Sequence, residues 1–150
     1  MKTKSQGGAQ ILEFALLLPF LLMILFLIID FGFLVYNQAI LTNASREGAR
    51  RAAMLTATPW STAAIKTVAC NFAKTSLIST RKGTHDATCT GTADPVITVI
   101  NPNGNIPPQF GDPVTVQITY AYSGFLTSTT TLLLSVPPWN LVASTRMNHE

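Results

Sequence analysis

The sequence predicts an α+β protein in which a long apolar N-terminal helix precedes a small domain with one amphipathic helix and an antiparallel sheet of three or four strands. Three observations predict this fold. Residues 14–29 are sixteen uncharged, mostly apolar residues. Residues 61–80 place apolar side chains at helical spacing, and residues 114–122 alternate apolar and polar side chains as a strand does.

The composition allows one small domain beyond the apolar helix. Of the 150 residues, roughly 90 follow the helix and its extension, which is enough for one modest core. Charged residues make up only 11% of the chain, against ~25% in typical soluble domains. The net charge of +3 comes from scattered lysines and arginines without interleaved aromatic residues, so we expect no nucleic-acid partner.

The apolar run is predicted to be a retained transmembrane helix. Lys2 and Lys4 precede it, as in a secretory signal, but the run is longer than the ~7–15 apolar residues of such signals and no small-x-small cleavage site follows closely. The 23 residues of 14–36 span about 34 Å as a helix, enough to cross a hydrocarbon core of ~30 Å. Asp30 lies inside this window near its far end, where it can reach headgroups or a partner.

The N-terminus is expected in the cytoplasm and the C-terminal domain outside it. Lys2 and Lys4 agree with the positive-inside rule, although Arg46, Arg50 and Arg51 follow the span on its other side. The C-terminal region is rich in Thr, Ser, Asn and Pro and poor in charge, which is typical of an exported domain.

The chain has two cysteines, Cys70 and Cys89, which either form one disulfide or remain free thiols. An extracytoplasmic location favours the disulfide. It would join the second helix to the loop that follows it. The eighteen intervening residues correspond to a stabilisation of ~3 kcal/mol on the chain-entropy model.

The apolar helix is expected to continue past the membrane. No proline interrupts residues 37–55, and Ala44, Gly48 and Ala52 place small residues on one face at every fourth position. Gly48 costs ~1 kcal/mol inside a helix, so the close approach of another backbone should offset that cost. Two partners are open: a helix of another subunit, through small-xxx-small packing, or this chain's own domain.

The remaining elements follow from periodicity and turn residues. Residues 56–60 end the first helix, and the apolar face of the second is predicted to contain Ile65, Val68, Ala69, Phe72 and Leu77. Strands are predicted at 96–100, 114–122 and 141–148. Residues 127–139 are interpreted as a strand or as a partly buried loop that reaches towards the membrane or a partner.

The start of the apolar run contains a motif. In "GGAQILEF", a cut after Gly8 would start the chain at Ala9 and make Glu13 its fifth residue, followed by Phe14. This resembles the processing site of type IV pilins of the Flp/Tad branch, where four residues separate the glycine from a glutamate and an aromatic residue.

The resemblance extends to the TadE-like family of minor pilins, or pseudopilins. The further matching features are Pro19 inside the apolar run, the "DFG" step at 30–32, "NASREGARRAA" at 43–53, and a C-terminal pattern with Arg146 and Glu150. A pilin-like architecture, with a long helix on a small sheet, is the fold that this resemblance implies. Pro19 removes one helical hydrogen bond and could loosen the helix for assembly, or be a neutral feature of the family.

The resemblance implies a division of the chain and a set of partners. Residues 1–8 would be a cytoplasmic leader, 9–56 the helix and its extension, and 57–150 a periplasmic domain of a protein in the bacterial inner membrane. The implied partners are a prepilin peptidase, other pilin or pseudopilin subunits, the inner-membrane assembly platform and the lipid bilayer. Glu13 would pair with the amino terminus of a neighbouring subunit; the alternative is an ordinary interfacial acid on an uncleaved, anchored domain.

The sequence contains no pattern typical of an enzyme. His85 and Asp86 are the only His/Asp pair close in sequence, and they form neither a triad nor a metal site, since catalytic zinc usually needs three protein ligands. No nucleophile elbow, P-loop or dinucleotide fingerprint is present. We therefore expect no catalysis, no metal and no cofactor.

Overall fold

The computed structural model describes residues 7–54, 60–78, 89, 95–124 and 139–150. Their helices and strands are, in order, α1 (Gly7–Met54), α2 (Thr62–Ser76), β1 (Val96–Ile100), β2 (Pro113–Tyr122) and β3 (Trp139–Asn148). The predicted α+β class is confirmed, and within the described residues the sheet has three strands. The expectations for His85, Asp86 and residues 127–138 lie outside the described residues.

The first helix, α1, is continuous over 48 residues and passes through Pro19 without a break. Its two halves have opposite surroundings. All side chains from Gln10 to Ile29 are exposed, whereas one face of the helix is buried from Asn37 onwards. The first half is therefore a bare apolar rod, and the second half is part of the core of the domain.

The second helix, α2, lies antiparallel to α1. Before its start, the indole N–H of Trp60 donates to the carbonyl of Ala52 (3.3 Å). Beyond its end, the side chain of Asn37 donates to the carbonyl of Ile78 (2.7 Å) and accepts from the N–H of the same residue (2.9 Å). These contacts join the start of α2 to the end of α1 and the end of α2 to the middle of α1.

We expect Asn37→Ala to lower the free energy of unfolding of the domain by about 2 kcal/mol, because it removes two hydrogen bonds made by a fully buried side chain. Asn43→Ala is the control, since Asn43 is exposed on the same helix. Urea unfolding of the full chain in detergent, followed by near-UV circular dichroism, measures both variants. Equal stability of the two would show that the Asn37 amide does not anchor the end of α2.

The sheet is antiparallel with β2 in its centre, in the order β1-β2-β3. The predicted alternation along β2 is confirmed. The buried residues of this strand are Val114, Val116, Ile118, Tyr120 and Tyr122. The predicted closing strand at 141–148 is β3, which begins two residues earlier, at Trp139.

Both helices pack on the sheet, with α1 against β2 and β3 and α2 against β1. Elements α1, α2 and β2 approach one another closely at Gly48, where a Cβ would lie 3.1 Å from both Ala69 Cβ and Val116 Cγ1. Nearby, the hydroxyls of Ser45 and Thr145 are 2.7 Å apart. The core is therefore built around the second half of α1.

The end of the domain farthest from the bare half of α1 is closed by backbone hydrogen bonds. The N–H of His149 donates to the carbonyl of Asp112, and the N–H of Gly111 donates to the carbonyl of His149 (both 2.8 Å). The N–H of Glu150 donates to the carbonyl of Ala53. The C-terminal residues thus join the β1–β2 loop to the end of α1.

The disulfide between Cys70 and Cys89 is confirmed, with a Cα–Cα distance of 5.9 Å and both residues buried. One detail of the α2 prediction is wrong: Phe72 is 42% exposed. The buried residues of α2 are Ile65, Ala69, Cys70 and Ala73. Because α1 and the sheet approach α2 closely at Gly48, alanine-sized side chains fill most of this interface and a phenylalanine is displaced outwards.

Candidate assembly site

The predicted processing site lies at the start of α1. The helix begins at Gly7, and a Cβ added to Gly8 would have no neighbour within 4 Å. Ala9 follows in the helix. Each glycine makes a helix ~1 kcal/mol less stable than alanine would, so this first turn unwinds more easily than the rest of α1.

Glu13 and Phe14 are exposed on α1 among apolar side chains. Glu13 follows Gly8 by five residues, or about 7.5 Å along the helix axis. In the described part of the chain the one ion pair joins Arg50 Nη1 to Glu47 Oε2 at 3.9 Å. Glu13 therefore has no basic partner within that part of the chain.

The surface of α1 that follows Glu13 is apolar from Phe14 to Ile29. Within the described residues, one helix is long and apolar enough to cross a membrane, with none of its most apolar window buried. Monomeric soluble proteins rarely expose apolar patches larger than a few hundred Å². This half of α1 is therefore compatible with anchoring in a membrane.

The small residues of α1 are used inside the chain. Ala44, Gly48 and Ala52 are all buried, and the neighbours of Gly48 are Ala69 of α2 and Val116 of β2. Of the two partners left open by the sequence, the chain's own domain is the one seen. The three residues are thus covered in this fold by the chain's own domain.

A contact at Asp30 was not anticipated from the sequence. A Cβ added to Gly124 would lie only 2.6 Å from Cγ of Asp30, so the carboxylate lies directly against the chain just after β2. The hydroxyl of Tyr122 donates weakly to the backbone carbonyl of Asp30 (3.5 Å). Burial, followed by the negative charge of Asp30, raises the pKa of Tyr122 to about 12.

This contact gives the acid in the apolar helix a role within the chain. Acids in membrane segments are rare and generally have a specific partner. For Asp30 that partner is the end of β2, which sets the height of the domain along α1. The isolated acid could be identified in the sequence. Its contact with Gly124, 94 positions later, could not, because no local pattern around Gly124 indicates a partner on α1.

The described residues show no constellation for catalysis. They contain no group of three or more His, Cys, Asp or Glu side chains that could hold a metal ion. His149 is buried beside the C-terminal hydrogen bonds.

The comparison with known families agrees with the N-terminal motifs. Residues 8–50 match the model of the family described as TadE-like protein, which confirms the predicted resemblance and supports a pilus-associated role. This family is structural rather than catalytic. No curated protein matches the chain, and no solved structure matches it.

Proposed function

We propose that this chain is a minor pilin, or pseudopilin, of a Tad/Flp-type pilus or secretion machine. A prepilin peptidase cuts it after Gly8 on the cytoplasmic face of the inner membrane. The mature subunit, starting at Ala9, then leaves the bilayer and enters a filament through the bare half of α1. The domain that packs on the second half of α1 stays on the periplasmic side or on the filament surface.

The observation that carries this proposal is the continuity of α1. Its exposed apolar half and its packed half form one helix from Gly7 to Met54. A subunit built in this way moves as a unit, because a displacement of the apolar rod carries the domain with it. Lipid surrounds the rod before assembly, and the rods of neighbouring subunits surround it afterwards.

Glu13 provides the register in this scheme. Cleavage creates an ammonium group at Ala9, and both this group and Glu13 are expensive to keep unpaired in an apolar environment. Pairing the ammonium of one subunit with Glu13 of the next satisfies both charges and fixes the axial step. Phe14 and Pro19 lie in the same apolar half of α1, where Phe14 adds contact area and Pro19 permits local loosening.

The surface that meets other subunits beyond the membrane is the outer face of α1. Because Ala44, Gly48 and Ala52 are buried, the exposed face with Arg46 and Arg50 is the one available. The assembly partners are other pilin-like subunits and the inner-membrane platform that delivers them. The alternative is an uncleaved, single-span anchor for a periplasmic binding domain, for which the same bare helix suffices.

The deciding experiment is intact-mass analysis and N-terminal sequencing of the protein recovered from its native membranes. We expect a chain that starts at Ala9, shorter by the eight leader residues. Cells with an inactivated prepilin peptidase are the control and should contain the full-length chain. A full-length chain in cells with active peptidase would contradict the proposal and leave the anchored domain.

A further inference from the structure

An exposed tryptophan lies at the edge of the domain nearest the bare half of α1. Trp139 is the first residue of β3 and is 57% exposed. The other tryptophan, Trp60, is only 5% exposed and donates to Ala52 near the far end of α1. The Trp139 indole is therefore available for contact with surroundings outside the domain.

Two sets of contacts place Trp139 at the level of Asp30. Trp139 is paired with Tyr122 in the sheet, and the Tyr122 hydroxyl contacts the carbonyl of Asp30. Independently, the side-chain amide of Gln38 donates to the carbonyl of Val142 (3.0 Å). Trp139 precedes Val142 by three residues, which is about 10 Å along a strand. The same distance along a helix is roughly seven residues, so the position on α1 level with Trp139 is about seven residues before Gln38, close to Asp30.

This level lies close to the outer boundary of the membrane that α1 would cross, within about 6 Å of it if the span begins at Phe14. Asp30 lies about 24 Å along the helix from Phe14, against ~30 Å for a hydrocarbon core. On α1, Phe31 is 62% exposed and Tyr36 is 44% exposed near this boundary. Tryptophan and tyrosine are enriched at such boundaries, because their rings combine an apolar body with a polar N–H or O–H group.

We propose that the Trp139 edge of the domain is inserted into the headgroup region of the same bilayer that α1 spans. The inference rests on the membrane insertion of α1 in the proposed function. It adds a second point of membrane contact, continuous with the exposed apolar surface of α1. With two contacts, the tilt of the domain relative to the bilayer is fixed, so the outer face of α1 with Arg46 and Arg50 keeps one height above the membrane.

The test uses two single-tryptophan variants of the full chain in phospholipid vesicles. Trp60→Phe leaves Trp139 as the only reporter, and Trp139→Phe leaves Trp60 as the matched control. Vesicles contain a lipid with a quenching spin label either near the headgroup or near the end of the acyl chain. Iodide in the surrounding water reports on exposure to solvent.

Trp139 is expected to lose most of its emission to the headgroup-proximal label, less to the label near the chain end, and little to iodide. Trp60 should respond to neither lipid label, because it lies near Ala52, about 33 Å along α1 from Asp30. If Trp60→Phe does not fold, the difference in emission between the wild-type chain and Trp139→Phe gives the same reading.

Vesicle flotation of the same samples tests the membrane insertion of α1 separately from the membrane contact of Trp139. Chains that float with the vesicles while iodide quenches Trp139 would overturn the inference and leave the membrane-anchored helix intact. Trp139 protected from both lipid labels and iodide would mean that protein covers it, which also overturns the inference. Chains that do not float would overturn the membrane insertion on which it rests.

Discussion

Glu13→Ala is expected to leave cleavage after Gly8 intact and to abolish incorporation of the subunit into filaments. The acid is exposed on the apolar half of α1 and has no basic partner within the described residues. Breaking an ion pair in an apolar environment costs about 3–5 kcal/mol. At 1.4 kcal/mol per tenfold change, this corresponds to a loss of roughly 10² to 4 × 10³ in the association constant.

The measurement compares processed subunit in membranes with subunit in sheared filament fractions, by quantitative immunoblotting. Glu47→Ala is the matched control, because Glu47 lies on the same helix and forms only a solvent-exposed pair with Arg50, worth at most about 1 kcal/mol. It should be cleaved and incorporated normally. Normal incorporation of Glu13→Ala would instead favour the anchored domain, in which Glu13 is an interfacial acid.

Gly48→Leu is expected to destabilise the domain by about 3 kcal/mol or more, at the upper end of the range for overpacking. Even a Cβ at this position would lie 3.1 Å from atoms of both α2 and β2. A leucine must therefore separate α1 from two elements at once. The gain in helix propensity over glycine, ~1 kcal/mol, is too small to offset this.

Gly32→Leu, on the same helix, is the control for the change in helix propensity, because a Cβ at Gly32 would have no neighbour within 4 Å. It should unfold at the wild-type temperature or slightly above. Thermal unfolding of the full chain in detergent, followed by near-UV circular dichroism, measures both variants. Similar melting temperatures for Gly48→Leu and Gly32→Leu would show that the close approach at Gly48 is not a determinant of the fold.

The two variants test the two halves of α1 separately. Glu13 acts where the helix is bare and Gly48 where it is packed. Asp30 lies between them, with its carboxylate against Gly124. Since α1 is continuous across this point, an assembly force applied to the apolar half reaches the domain through a single helix.

The local elements of this protein could be predicted from its sequence because each depends on a short-range pattern. The uncharged run at 14–29 predicts the apolar helix, and the alternation along 114–122 predicts the central strand and its buried face; both are confirmed. Spacing alone suffices for such features, because the periods of helix and strand are set by backbone geometry. The family resemblance at the N-terminus likewise depends on a continuous stretch of residues.

Which element packs against each face of α1 and α2 is determined only by the tertiary structure. The spacing of Ala44, Gly48 and Ala52 predicts a close approach without identifying its partner, which proved to be α2 and β2 of the same chain. Phe72 fits an apolar face in sequence but is exposed, since the interface at Gly48 admits mainly small side chains. Asp30 meets Gly124 only because the sheet folds back along α1. Periodicity determines which side chains share a face, whereas the element that covers the face depends on contacts between residues far apart in the chain.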